Sequence, residues 1–208
     1  LSYAYHKGFH AALDARPANP GRPGDAVSSL RERLSRNGRP HPVDSDLAPV
    51  KLGICALLAD RKGGGIRILE TLRAKHLSLY PDTRHASFSG GVDIQDLRDG
   101  DPSLSGLIAR AAVRECREEL GVAIAVESVT VLGLWREMER CTLQSFAVAE
   151  IEDLDALRFV PDPRELQSFR IRRLDERCDA AAPDKPKSAE LDFLERHIAA
   201  TGFFAPER

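Results

Sequence analysis

Long apolar runs are missing from this chain. Nothing in its 208 residues approaches the ~20 consecutive apolar positions that a spanning helix needs, so no membrane partner is expected. An excess of one charge is missing too. Lys and Arg number 30 against 32 Asp and Glu, for a net charge of -2, so binding nucleic acid through bulk positive charge is not expected. Cysteine is scarce: Cys55, Cys116, Cys141 and Cys178 form no CxxC pair, which excludes a zinc knuckle or a thioredoxin-type motif. Cys55 and Cys116 sit within apolar patterns and read as small buried hydrophobes, which points to a reducing, cytoplasmic compartment. No charged-then-apolar leader is visible, and the first residue is Leu1, which leaves a processed form and a fragment both open. No GxxxxGK[ST] occurs, so a P-loop is excluded, and there is no internal repeat.

What is present is an ordinary globular composition, 42% apolar and 30% charged, sufficient for one domain plus an extension. Residues 1–48 read as that N-terminal extension. A Pro/Gly loop, PANPGRPGD from Pro17, precedes a short helix candidate, AVSSLRERLSRNG from Ala26 to Gly38. Asp25 caps its start, Ser29 and Glu32 fit a capping box, and Gly38 suits its end. Its stripe Val27, Leu30 and Leu34 is too narrow to fold alone. The stripe could cover the core or a second subunit, so a homodimer stays open.

The main domain is expected over 49–208. VKLGICALLAD from Val50 suits a buried strand, RKGGG a turn, and IRILETL from Ile66 a second strand of a hairpin. After an irregular stretch from Arg73 to Asp101, DPSLSGLIARAAVRECREELGV reads as a helix capped by Asp101 and ended by Gly121. Its core stripe is Leu104, Ile108, Ala112 and Cys116, joined by Leu107 and Ala111. Further strands are expected at Val129–Trp135, Thr142–Ile151 and Phe169–Leu174. A final amphipathic helix from Ser188 to Gly202 has Leu191, Leu194 and Ile198 on one face. The single Trp135, followed by Arg136, reads as a core or interface residue, with base stacking as the alternative.

The informative segment is Arg114-Glu115-Cys116-Arg117-Glu118-Glu119-Leu120-Gly121-Val122. On a helix, Glu115, Glu118 and Glu119 share one face, so like charges meet, and they do so in the last turns, where the helix dipole disfavours them. A divalent cation reverses both penalties, and hard oxygen ligands suit Mg²⁺ or Mn²⁺. The competing reading is a solvated acidic face paired with Arg110, Arg114 and Arg117.

This segment resembles the second half of the Nudix box, REUXEEXGU with U apolar, preceded by Ala111-Ala112-Val113. Ser89-Gly90-Gly91-Val92-Asp93 resembles the glycine pair before the box, and Leu72-Arg73 followed by Tyr80-Pro81 fits the order ahead of it. The resemblance spans roughly residues 49 to 174. It implies an α/β fold, the Nudix α/β/α sandwich with a mixed β-sheet. It also implies Mg²⁺- or Mn²⁺-dependent hydrolysis of the diphosphate linkage in a nucleoside diphosphate derivative. By that resemblance Glu115, Glu118 and Glu119 are metal ligands, and Arg114 holds the first by a charge-assisted hydrogen bond. Arg73 contacts phosphate, with a solvent-facing strand arginine as the alternative. Gly90 and Gly91 lie at the substrate, and Gly91 lets the backbone approach the site.

The first half of the box departs from the pattern. Counting back from Arg114, the family's glutamate position holds Gly106 and its glycine position holds Gly100, and the stretch from Gly91 to Arg114 carries an insertion. Asp96, Asp99 and Asp101 lie in it, and one of them could replace the missing carboxylate. The general base is a box glutamate or one of Glu150, Asp162 and Glu165. Arg84 and His85, in the loop just before the glycines, could reach substrate, with a merely exposed loop histidine as the favoured reading of His85. Two functions are weighed: a Nudix-type pyrophosphohydrolase, and a Nudix-fold sensor that binds a nucleotide such as ADP-ribose without turnover. A third reading, an interaction module without a ligand, predicts no stabilisation by metal.

Overall fold

An unbroken apolar run needs cover on both faces, and Leu52–Lys62 (β3) has it. Its residues 53–60 are all buried. Ile54, Ala56 and Leu58 face one core cluster, and Cys55, Leu57 and Ala59 face the other. This computed structural model describes residues 35–36, 39–40, 52–97, 103–137, 142–174 and 185–201. The chain divides into two compact units, Leu1–Lys51 with Arg136–Leu143 and Leu52–Trp135 with Gln144–Arg208.

In the first unit β1 (Ser35–Arg36) pairs antiparallel with β2 (Arg39–Pro40). The helix expected over 26–38 therefore fails at its last turn. The competing local signal is the Asn37-Gly38 dipeptide, which favours a two-residue hairpin connection. Residues 26–34, with the stripe Val27, Leu30 and Leu34, lie outside the described residues.

In the second unit β3 and β4 (Gly65–Arg73) form the expected hairpin, turning at Gly63 and Gly64, whose φ values of 64° and 75° suit glycine. The two strands stay paired only from Ala59 to Lys62 on β3. Beyond that they splay, and the segment carrying β5 (Arg84–His85) and β6 (Phe88–Gly91) fills the wedge. β5 pairs with the end of β4, and β6 with residues 53–56 of β3. Buried Ser87 closes the fork. Its Oγ accepts the Leu58 N–H at 2.8 Å and donates to the Leu69 carbonyl at 2.5 Å, replacing a ladder bond the splayed strands cannot make.

β7 (Val129–Glu137) and β8 (Thr142–Glu150) extend the sheet on the other side of β3, and β9 (Leu166–Arg173) pairs antiparallel with β4. Two contacts rise together along β3 and β8. Ser145 Oγ donates to the Gly53 carbonyl at 2.7 Å, and Ile151 N–H donates to the Ala59 carbonyl at 2.9 Å. These strands therefore run parallel, and the seven-stranded sheet is mixed. Helix α1 (Leu104–Leu120) covers one face through Ile108, Ala111, Ala112, Cys116 and Leu120. Helix α2 (Ala189–Thr201) covers the other through Leu191, Leu194 and Ile198. The result is the expected α/β/α sandwich. No helix among the described residues is long and apolar enough to cross a membrane.

Two details of α1 differ from expectation. Its N-cap is Ser103, whose Oγ accepts the Gly106 N–H at 3.0 Å, and not Asp101. Leu104, expected on the core stripe, is 51% exposed; it is the first residue of the helix, and the core cluster takes α1 residues only from Ile108 onward. Gly121 ends the helix as expected, with φ 69° and its N–H on the Arg117 carbonyl. Trp135 packs edge-on against Phe146 and Phe193 in the cluster under α2, a core position. Far from the splayed end of the hairpin, buried Asp60 accepts Arg67 Nε at 2.9 Å and the Leu154 N–H at 2.7 Å, pinning the 153–156 turn.

Ser87→Ala strands a buried donor and a buried acceptor at the fork. Urea unfolding is expected to show a loss of about 1–3 kcal/mol.

Candidate functional site

The last two turns of α1 stand over the splayed end of β3, beside β6. Glu115 and Glu119, four residues apart, turn inward and are buried, while the side chain of Glu118 remains 57% exposed. The inward pair explains the glycines opposite. A Cβ added at Gly90 would lie 2.0 Å from the Glu115 carboxyl carbon, whereas one at Gly91 would meet nothing within 4 Å. The close approach expected at Gly91 is therefore made at Gly90. Gly91 contributes its carbonyl, which accepts Arg114 Nη2 at 2.6 Å.

Arg114 is the hub. Its Nη1 donates to Glu115 Oε1 at 2.8 Å and to Glu118 Oε2 at 3.2 Å. Its other edge is taken by Asp96, Nε to Oδ1 at 3.1 Å and Nη2 to Oδ2 at 3.0 Å. A planar guanidinium with five fixed donors can serve two carboxylates on one edge and a third on the other, which a lysine cannot do.

Glu119 lies deeper. Its Oε2 accepts the Ser89 N–H at 3.3 Å. Near it is Arg73, mostly buried, with Nη1 donating to Ser89 Oγ at 3.1 Å and Nε to the Leu79 carbonyl at 3.2 Å. Arg73 Nη2 lies 3.7 Å from Glu165 Oε2, long for a hydrogen bond. Burial pushes the Glu115 carboxyl up from 4.5 to about 7, against the pull of Arg114. Burial also holds Glu119 well above the ordinary range, the Arg73 charge lowering it and the Glu115 and Glu165 charges raising it further. Cys116, between them on the helix, is buried and its thiol is pushed up to about 12, so it is an inert core residue.

Of the three later carboxylates, Glu165 stands with the cluster. Glu150 pairs with Arg61 at 3.2 Å, and Asp162 is clasped by Arg164, which lowers its pKa. Arg84 and His85 form the short strand β5, with Arg84 Nε on the Lys185 carbonyl at 3.1 Å. Asp99 and Asp101 lie outside the described residues. Sequence reasoning missed Ser89, whose backbone and hydroxyl join Glu119 to Arg73. Its position directly before the glycine pair was the available signal.

The fold is shared with a group of solved structures. A Nudix hydrolase from Alicyclobacillus acidocaldarius superposes with a TM-score of 0.57 at 13% identity, covering 73% of this chain and 92% of that one. RenU, a Nudix hydrolase from M. Smegmatis, gives 0.51 at 20% identity over 75% and 88%. The Nudix domain of Shewanella oneidensis NrtR, crystallised with ADP ribose, gives 0.51 at 12% identity over 74% and 88%. No family model and no curated protein matches the chain in sequence. The chain has the Nudix fold.

Among the described residues no three ligand side chains already converge as a closed metal cage. Mg²⁺ and Mn²⁺ do not require one, since Mg²⁺ commonly takes one or two carboxylates and completes its shell with water and phosphate oxygens. Two buried carboxylates with raised pKa and an exposed third on the same flank fit that mode, because a cation would favour their ionised forms.

In the metal-free protein Glu115 binds its proton more tightly folded than unfolded. The stability this contributes is complete below about pH 4.5 and is lost as pH rises through about 7. Glu115→Gln keeps a neutral side chain and so removes this pH-dependent loss; urea midpoints of wild type and variant are expected to stand at a fixed offset at low pH and to diverge between about pH 4.5 and 7 in favour of the variant, with no further change above. Parallel curves would contradict the burial of a titrating carboxylate at 115.

Proposed function

We propose that this chain is a divalent-metal-dependent hydrolase that cleaves the diphosphate linkage of a nucleoside diphosphate joined to another moiety. The observation that carries this reading is the pair Glu115 and Glu119, buried on one helix flank, the first held against Gly90 by Arg114 and the second bonded to the Ser89 N–H. Such an arrangement is costly without a cation, and local cost of this kind tends to mark function.

In this reading Glu115, Glu118 and Glu119 hold Mg²⁺ or Mn²⁺, which supplies neutralisation of charge developing on the phosphoryl oxygens. Arg114 sets the rotamers of Glu115 and Glu118. Gly90 lets Glu115 close on the strand, and Gly91 anchors Arg114 through its carbonyl. Arg73 places positive charge beside Glu119, and its Nη2 end is the donor for a phosphate oxygen. Glu165 accepts the proton of the attacking water while the phosphorus–oxygen bond to the leaving group breaks and that oxygen departs with the electron pair. Catalysis then rests on positioning and electrostatics.

The second reading is a sensor that binds a nucleotide without turnover. Gly106 in place of the box glutamate favours it, and a fold neighbour, the Nudix domain of NrtR, is solved in complex with ADP ribose.

The test is nucleoside monophosphate release from a panel of nucleoside diphosphate sugars, dinucleoside polyphosphates and coenzyme A derivatives, with Mg²⁺ or Mn²⁺. Wild type is expected to turn over at least one, and Glu118→Gln is expected to lower kcat by about tenfold or more. Ligand-induced stabilisation without turnover on any compound would favour the sensor.

A further inference from the structure

Gly106 leaves the box without its first carboxylate, yet Arg114 is not short of one. We propose that Asp96, carried by the 3₁₀ turn Ile94–Leu97 that the insertion supplies, is the positioning residue of the cation site. In this role it does the work the helix position 106 cannot do. The inference rests on the metal-dependent reading above.

The turn is built inside out. Its apolar residues Ile94 and Leu97 are 70% and 62% exposed, while Asp96 is 5% exposed. A turn serving the core would bury the aliphatic residues and expose the acid. What is buried is a carboxylate that, among the described residues, bonds to α1 and to Asp93 at the start of its own turn. Oδ1 and Oδ2 take Arg114 Nε and Nη2 at 3.1 and 3.0 Å, and Oδ2 also accepts the Asp93 N–H at 2.8 Å. The Asp96 carbonyl accepts Arg110 Nε at 2.7 Å, so two arginines one helical turn apart hold the same residue. Position 106, by contrast, lies in the first turn of α1, eight residues before Arg114 and about 12 Å up the helix axis.

The consequence falls on the glutamates. With one edge of the guanidinium held by Asp96, the Nη1 edge is fixed toward Glu115 and Glu118. Without that restraint Arg114 is free to turn, and the two carboxylates lose the partner that orients them. Partners of this outer kind commonly change metal affinity by about ten- to a hundredfold when removed.

Three variants separate positioning from plain structural support: Asp96→Asn, Asp96→Glu, and Asp60→Asn as a control that breaks a buried carboxylate–arginine pair away from the site. Mn²⁺ affinity is read from the electron paramagnetic resonance signal of free Mn²⁺, with kcat and KM measured on the best substrate. Asp96→Asn is expected to weaken Mn²⁺ binding about tenfold or more and to lower kcat with KM little changed. Asp96→Glu keeps the charge, and so the fold, but shifts the carboxylate by about one methylene, and a severalfold loss of Mn²⁺ affinity is expected. Asp60→Asn is expected to lower Tm and leave Mn²⁺ affinity at the wild-type value. Wild-type Mn²⁺ affinity in either folded Asp96 variant overturns the proposal. Failure of the wild type itself to bind Mn²⁺ overturns the metal-dependent reading, and this inference with it.

Discussion

One guanidinium sets the terms of this structure. Glu115, Glu118 and Glu119 repel one another in the last turns of α1, where the helix dipole adds to the cost, and two of them are buried. Arg114 makes that placement tolerable by touching two of the three and tying the helix to the Gly91 carbonyl and to Asp96. A buried arginine–carboxylate group of this kind is poor evidence of stability, since its desolvation cost rivals its attraction. It is better evidence that the carboxylates are wanted where they are.

The sheet makes room for this arrangement by splitting. If β3 and β4 remained paired along their whole length, no edge would be left for β6, and the glycine pair would have nowhere to lie against α1. The fork at Ser87 satisfies the backbone groups that the split would strand. It also lets β6 run beside Gly53–Ala56 with Gly90 facing the Glu115 carboxyl. The missing Cβ at Gly90 is what permits the carboxylate to close on the strand. The opposite face, packed by α2 and the Trp135 cluster, makes the sheet rigid from behind. The site therefore depends on packing through both layers.

Much of this was legible in residue patterns. The recurrence Ile108, Ala112 and Cys116 on α1, the apolar run of β3, the paired glycines of the hairpin and the Gly121 stop are short-range signals, and each is realised, Leu104 alone falling off the core stripe. The three carboxylates were legible because helical spacing alone puts them on one face. The splitting of β3 from β4 was not, because it depends on Ser87 bonding two strands at once, a contact 29 residues from one partner and 18 from the other. The choice between Gly90 and Gly91 turns on which residue of β6 faces α1, a matter of register that adjacent glycines cannot reveal. Asp96 stood out no more than Asp99 and Asp101 until Arg114 was seen to reach it. The helix ending near Gly38 failed where a hairpin dipeptide outweighed a capping pattern.

The central claim is that Arg114 organises the carboxylates into a cation site, a role its charge alone would not fill. The direct test is calorimetric titration of Mn²⁺ into Arg114→Lys beside wild type, with cooperative unfolding checked for both. Lysine keeps the charge and loses the fork. The account predicts a folded variant that binds Mn²⁺ at least about tenfold more weakly than wild type. Equal affinity in a folded Arg114→Lys would contradict it.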